Sequence, residues 1–189
     1  MITSILGTKV ACLDKRESSR IMEFRKSEKS DINNIMNIIK QAQDYFKEQG
    51  INQWQNNYPS NETIHNDINQ NISYVLLKDN DVVATAAVSF DGEKTYDTIY
   101  DGEWVSNGAY AVIHRIAVNN NYKGMGLSSK IINEVEELCI KNNVNSIKID
   151  THEANISMQS LLRKNNFKYC GKITLEDGAK RIAFEKVLS

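Results

Sequence analysis

Two glycines separated by one residue, in Asn121-Tyr122-Lys123-Gly124-Met125-Gly126-Leu127-Ser128, form the stretch of the chain best suited to hold an anion. Glycine lacks the Cβ atom that keeps a ligand away from the backbone. Where such a loop opens a helix, the N–H groups of the first turn have no partner and lie at the positive end of the helix dipole. They can then hold a phosphate without a basic patch. Lys123 adds one local positive charge. Gly-x-Gly also serves simply to shape a tight turn, so the spacing alone leaves a structural and a ligand-binding reading open.

Spacing separates the kinds of nucleotide site that use this chemistry. A P-loop needs Gly-Lys-Ser/Thr, which the chain lacks. Gly124-Met125-Gly126-Leu127-Ser128-Ser129 matches a dinucleotide fingerprint except at its last glycine, with Asp150 near the place of a ribose-binding acid. Five residues separate Val118 from Gly124, however, and no second β-α-β half follows. An NAD(P)-binding oxidoreductase is therefore the weakest reading kept.

Composition makes any anion site a local one. The 23 Lys and Arg against 24 Asp and Glu leave a net charge of −1 over 189 residues, no overall field for nucleic acid or an anionic membrane. At roughly 100–200 residues per domain the length allows one domain, with a weakly structured extension expected over residues 1–21 and the domain over 22–189. No run of about 18 apolar residues could span a bilayer. The amino-terminal stretch, charged from Lys9 onward, lacks the apolar segment of a secretory signal, so a cytoplasmic protein is expected. Cys12, Cys139 and Cys170 are widely spaced, and neither a disulfide framework nor a metal site is expected from them.

The elements that must position the glycine loop follow from periodicity. Ile32, Ile35, Met36, Ile39, Ala42 and Phe46 recur at helical spacing after Ser30-Asp31, and a second helix opens at Pro59-Ser60 with Ser60 as its cap. Residues 72–77 and 82–88 read as strands joined by a turn at Asp79-Asn80-Asp81. Residues 91–108 have turn composition and no sustained period. A buried strand over 110–118 leads through the glycine loop to a helix marked by Leu127, Ile131, Val135 and Leu138, then to a strand at 147–150. Such a unit sets two parallel strands side by side. A helix around Met158, Leu161 and Leu162 precedes strands at 167–175 and 181–187, which turn at Asp177-Gly178. Alternation along the central strand sets His114 on one face with Val112 and Ile116, as a packed histidine or a base.

With the motifs in that order, the sequence resembles the GNAT superfamily of acyl-CoA-dependent N-acyltransferases. The family's pyrophosphate loop, Gln/Arg-x-x-Gly-x-Gly/Ala, follows a strand ending in an apolar triplet. Ile116-Ala117-Val118 and Asn121-Tyr122-Lys123-Gly124-Met125-Gly126 supply both, with Asn121 where Gln or Arg is usual. Ile149-Asp150-Thr151-His152-Glu153-Ala154-Asn155 and Leu161-Leu162-Arg163-Lys164-Asn165-Asn166-Phe167 resemble the family's strand end, Asn and Leu-Tyr-x-Lys-x-Gly-Phe pattern. Leu162 stands where the family carries its tyrosine.

The resemblance implies an α/β (α+β) fold: a mixed, mostly antiparallel central sheet with one splayed parallel strand pair, flanked by helices. It implies acetyl-CoA as co-substrate, with Ile116, Ala117 and Val118 holding the pantetheine arm through main-chain groups. Tyr122, Lys123, Gly124, Met125, Gly126, Leu127 and Ser128 would hold the pyrophosphate, and Asn155 either contacts the arm or caps a helix. It implies transfer to a primary amine of a small molecule or peptide. An ammonium of pKa near ~10 must first lose a proton, so a base is needed. Asp150 is the favoured base, with His114 and Glu103 as further candidates and His152 open. The missing tyrosine leaves the thiolate to Tyr169, to water or to unaided departure, and keeps open a non-catalytic acyl-CoA-binding module. Asp91, Glu93, Asp97, Asp101 and Glu103 against Lys94 alone form an acidic stretch that suits a cationic acceptor, and Trp54, Tyr58 and Trp104 could line its pocket. Neither nucleic acid nor membrane is expected as a partner, and a homodimer is left open.

Overall fold

Helix α1 (Ile32–Glu48) forms because its apolar residues return every three to four positions, and Ile32, Ile35, Ile38, Ile39 and Phe46 are buried in a row along one side. Helix α2 (Asn61–Asn69) begins where expected: Ser60 Oγ accepts from Thr63 N–H at 3.2 Å, and the Thr63 hydroxyl oxygen accepts from Ser60 N–H at 3.1 Å. The computed structural model describes residues 22–188, so the extension expected over 1–21 lies outside the described residues. The strands are β1 (Met22–Lys26), β2 (Ser73–Lys78), β3 (Asp81–Ser89), β4 (Ala111–Val118), β5 (Ser146–Thr151), β6 (Lys168–Thr174) and β7 (Lys180–Val187). Helix α3 (Leu127–Lys141) joins β4 to β5, and α4 (Ile156–Lys164) joins β5 to β6. Among the described residues no helix is long and apolar enough to cross a membrane.

Among the described residues seven strands make one sheet in the order β1-β2-β3-β4-β5-β7-β6, antiparallel except for β4 beside β5. The α3 crossover enforces that one parallel neighbour. Helix α3 buries Leu127, Ile131, Ile132, Val135 and Cys139 against one face with Ile147, Ile149 and Phe184. Helix α1 covers the other face at Val75, Leu77, Val82 and Ala117.

Two irregularities shape the centre. The parallel ladder holds only Ala111 opposite Ile147 and Val112 opposite Lys148, so from Ile113 onward β4 has no β5 residue beside it and the strands part. Strand β4 also carries a bulge against β3: Thr85 faces Ala117 but Ala87 faces His114, an extra β4 residue, and Arg115 lies at φ +54°. The bulge corrects the expected alternation. Ile116 and Val118 pack with the cluster of Ile113, whereas Val112 packs with Tyr96, Ile173 and Ala183.

Residues 91–108 contain a single helical turn, Lys94–Tyr96, and otherwise form an irregular strap, yet they are firmly docked. Tyr100 and Lys172 exchange two backbone hydrogen bonds of 2.8 Å along the outer edge of β6. The approach is close enough that a Cβ at Gly102 would sit 2.0 Å from Cys170 O, and one at Gly171 would sit 2.6 Å from Tyr100 O. The fully buried Glu185 carboxylate accepts from Val105 N–H at 2.6 Å, from Ser106 N–H and hydroxyl, and from Ser146 Oγ at 2.6 Å. Lys148, opposite Glu185 in the ladder, lies with Nζ 4.2 Å from the Trp104 ring centroid and 4.0 Å from that of Tyr110. The strap therefore brings Tyr96, 2% exposed, under the sheet beside β5.

Candidate functional site

The parting of β4 from β5 opens a cavity of about 730 Å³. Its floor is Ile113, Ile116 and Ile149, and Trp54 and Tyr58 from the α1–α2 loop close one side. Along the open edge of β4, main-chain N–H and C=O groups beyond Val112 lack a strand partner on the β5 side. Such groups suit a ligand that runs along the strand as an amide-bearing chain.

Beyond the end of β4 the glycine loop takes the form anticipated for an anion site. Gly124 lies at φ +80° and Gly126 at φ +75°, a conformation that favours glycine. A Cβ at either position would meet nothing within 4 Å, so the space beside both is open. None of the N–H groups from Gly124 to Ser129 donates to an acceptor among the described residues, while Lys130 N–H begins the helical ladder on Gly126 O at 3.0 Å. Helix α1 steadies the loop: Gln41 Oε1 accepts from Asn120 N–H at 2.7 Å, and Lys123 Nζ stands 5.0 Å from the Tyr45 ring centroid. Open glycines, unbonded amides and a helix N-terminus together fit a diphosphate.

Among the candidate cofactor residues, Ile116 and Asn155 border the cavity, Ala117 and Val118 continue β4 out of it, and residues 122–128 make the separate loop. Asn155 is occupied as a helix cap. Its Oδ1 accepts from Met158 N–H at 3.1 Å and its Nδ2 donates to Gln53 Oε1 at 3.1 Å. Gln53 was not anticipated. It ties the α1–α2 loop across the gap to β5 and α4, and Tyr45 and Ser157 make a second bridge at 3.3 Å.

Asp150 lies on the cavity wall. Its Oδ1 accepts from Tyr96 OH at 2.7 Å, and its Oδ2 stands 4.0 Å from Arg181 Nε. Burial pushes its pKa up, and the Tyr96 hydrogen bond and the Arg181 charge pull it partway back. His114 also faces the cavity, its Nε2 3.5 Å from Glu93 Oε2. Burial and then the Arg115 charge, against the pull of Glu93, lower its pKa to about 4, so it is a neutral imidazole at pH 7. Glu103 is exposed on the strap and is not on the cavity wall, so it is not brought together with Asp150 and His114. His152 Nδ1 accepts from Ala154 N–H at 3.1 Å. Leu162 is fully buried in the core, and Tyr169, half exposed, packs edge-on against Phe184 away from the cavity.

The acidic lining has a different origin from the one expected. Of the strap's acids only Glu93 reaches the cavity, and Asp101 instead pairs with Lys172 at 2.8 Å. Glu176 and Asp177, from the β6–β7 hairpin, complete the acidic side. Trp104 is structural: its Nε1 donates to Tyr96 O at 2.9 Å. Opposite, Arg115 on the bulge donates through Nε and Nη2 to Asp67 of α2 at 2.8 and 2.7 Å, and through Nη1 to Tyr58 OH at 2.9 Å. Asp67 and Arg115 are 48 positions apart and neither falls in a local motif, so no signal in the sequence marks them as partners.

The comparisons with known proteins agree with this geometry. The model of the acetyltransferase (GNAT) family matches residues 37–167. A GNAT-family acetyltransferase of Streptococcus agalactiae 2603 is 32% identical, with a TM-score of 0.80 over 89% of this chain and 96% of its own. A GNAT-family acetyltransferase of Listeria monocytogenes 4b F2365 shares the fold at 18% identity, with a TM-score of 0.69 over 88% and 95%. The ribosomal-protein-S18-alanine N-acetyltransferase of Escherichia coli does so at 15% identity, with a TM-score of 0.59 over 89% and 95%. No curated protein matches the chain in sequence.

Proposed function

Because the chain belongs to the GNAT family of acetyltransferases, we propose that it is an N-acetyltransferase transferring the acetyl group of acetyl-CoA to a primary amine of a small molecule or peptide by direct attack on the thioester. The observation that carries this is the pairing of an open amide cradle at Gly124–Ser129 with a parted β4–β5 edge that leads from it to Asp150. Acetyl-CoA supplies an acyl group already activated as a thioester. The chain's own residues bind and orient. Amides of residues 124–129 and Lys123 hold the pyrophosphate, and the free edge of β4 at 116–118 holds the arm in line with the cavity.

The acceptor arrives as an ammonium and must give up a proton before its nitrogen lone pair can attack. Asp150 takes that proton, directly or through a water, on the oxygen that Tyr96 leaves free. His114, neutral at pH 7, serves as a hydrogen-bond partner within the cavity. Five carboxylates line the cavity against two guanidinium groups, which favours a cationic acceptor over an anionic one. The departing sulfur has no tyrosine at 162 to protonate it; with a thiol pKa near ~8.5 it leaves as thiolate, and the second proton of the attacking nitrogen passes to that thiolate or to water as the adduct collapses.

Calorimetric titration with acetyl-CoA and a thiol-release screen over polyamines, aminoglycosides, amino acids and peptide N-termini test the proposal. Saturable binding together with thiol release is expected. Absence of acetyl-CoA binding overturns it. The buried Leu162 favours one second reading, a non-catalytic acyl-CoA-binding module, for which binding would occur without release for any amine.

A further inference from the structure

The strap over residues 91–108 is held to β6 and β7 more tightly than an irregular connection requires. Two glycines permit backbone contact that a side chain would block, and a buried carboxylate, Glu185, accepts from the strap at Val105 and Ser106. One consequence of this docking reaches the cavity. Tyr96 is itself buried and absent from the cavity wall, but its hydroxyl donates to Asp150 Oδ1 at 2.7 Å. Its ring is packed by Trp104, with centroids 5.2 Å apart, and its carbonyl accepts from Trp104 Nε1.

We infer that Tyr96 is a positioning residue for Asp150: the docked strap delivers its hydroxyl to Oδ1, which fixes the carboxylate's rotation and leaves Oδ2 as the oxygen presented to the cavity. The inference rests on the reading of Asp150 as the base. Tyr96 takes no proton itself. Burial first, and then the Asp150 charge, push its own pKa well above the ordinary tyrosine range, so it remains a donor throughout the working range of pH. The other charged groups that face Asp150 are Arg181 from β7 and Glu93 from the strap; Glu93 is in turn 3.5 Å from His114 of β4. Neither makes a hydrogen bond to the carboxylate, whereas the Tyr96 hydroxyl does.

The test is a carbon-13 carboxyl titration of Asp150 by NMR in the unsubstituted protein and in Tyr96→Phe, alongside the pH dependence of kcat with the amine that the thiol-release screen identifies. Loss of a hydrogen bond to the ionised form should raise the Asp150 titration midpoint by about one pH unit and move the acid limb of kcat upward with it. A purely structural role would lower thermal stability and leave both midpoints in place, which overturns the inference. Should Tyr96→Phe fail to fold, the reciprocal titration decides. In Asp150→Asn, one tyrosine followed by its labelled ring carbon should ionise at lower pH than before, and an unmoved set of tyrosines overturns the pairing. Normal turnover by Asp150→Asn would remove the base and the reading on which this rests, whereas an impaired Asp150→Asn with an unmoved Tyr96→Phe midpoint would overturn the role of Tyr96 alone.

Discussion

At the scale of single residues, the proposed mechanism divides the work between backbone and side chain. Gly124 acts through what it lacks. A Cβ there would project into the open space beside the amides, so Gly124→Val should weaken acetyl-CoA binding at least about tenfold, measured by calorimetry, through obstruction of the phosphate approach. Its left-handed φ adds a folding cost of about 1–2 kcal/mol, visible as a lower Tm. Asp150, as the proposed base, would act through its charge. Asp150→Asn keeps the shape and the Tyr96 contact but cannot accept a proton, so kcat at pH 7 should fall about 10²–10⁴-fold while acetyl-CoA affinity stays within twofold. The glycines were evident in the sequence because a backbone requirement for the left-handed region selects one residue type. Tyr96 and Arg115 were not, because their partners, Asp150 and Asp67, lie 54 and 48 positions away and nothing local advertises the pairing.

At the scale of elements, the decisive features are departures from regularity. Apolar repeats located α1 and runs of apolar residues located β2, β3, β4 and β5 to within a residue or two, because α1 buries one side and those strands are largely buried on both. The same rule misassigned the face of Ile116, because the bulge at Arg115 inserts a residue and reverses every side chain beyond it. The strap was invisible for the opposite reason: its order comes from close backbone contact and from Glu185, neither of which has a period. Gly102→Ala measures that docking. A methyl group 2.0 Å from Cys170 O forces the strap outward, and the variant should lose about 1–3 kcal/mol of stability in urea unfolding. Because the strap carries Tyr96, turnover should fall in the same variant even though residue 102 is remote from the cavity wall.

At the scale of the whole molecule, burial in the cavity couples folding to pH. His114 has a folded-state pKa of about 4 against an ordinary value of 6.5, so the unfolded chain binds a proton that the folded one resists between those limits. Its contribution to stability is therefore fully present above pH 6.5 and is lost as pH falls toward 4. Calorimetric unfolding should show Tm dropping over that window, and His114→Gln should flatten the drop relative to the unsubstituted protein. Sequence by itself determined the element order, the place of the parallel pair and the position of the left-handed glycine loop, because each is written in local periodicity or in a residue type that its backbone demands. Tertiary structure alone decided which acids reach the cavity and which oxygen of Asp150 the Tyr96 hydroxyl engages. Those depend on where a bulge, a parted ladder and a docked strap place side chains far apart in the chain, and only close packing in three dimensions brings such groups within hydrogen-bonding distance.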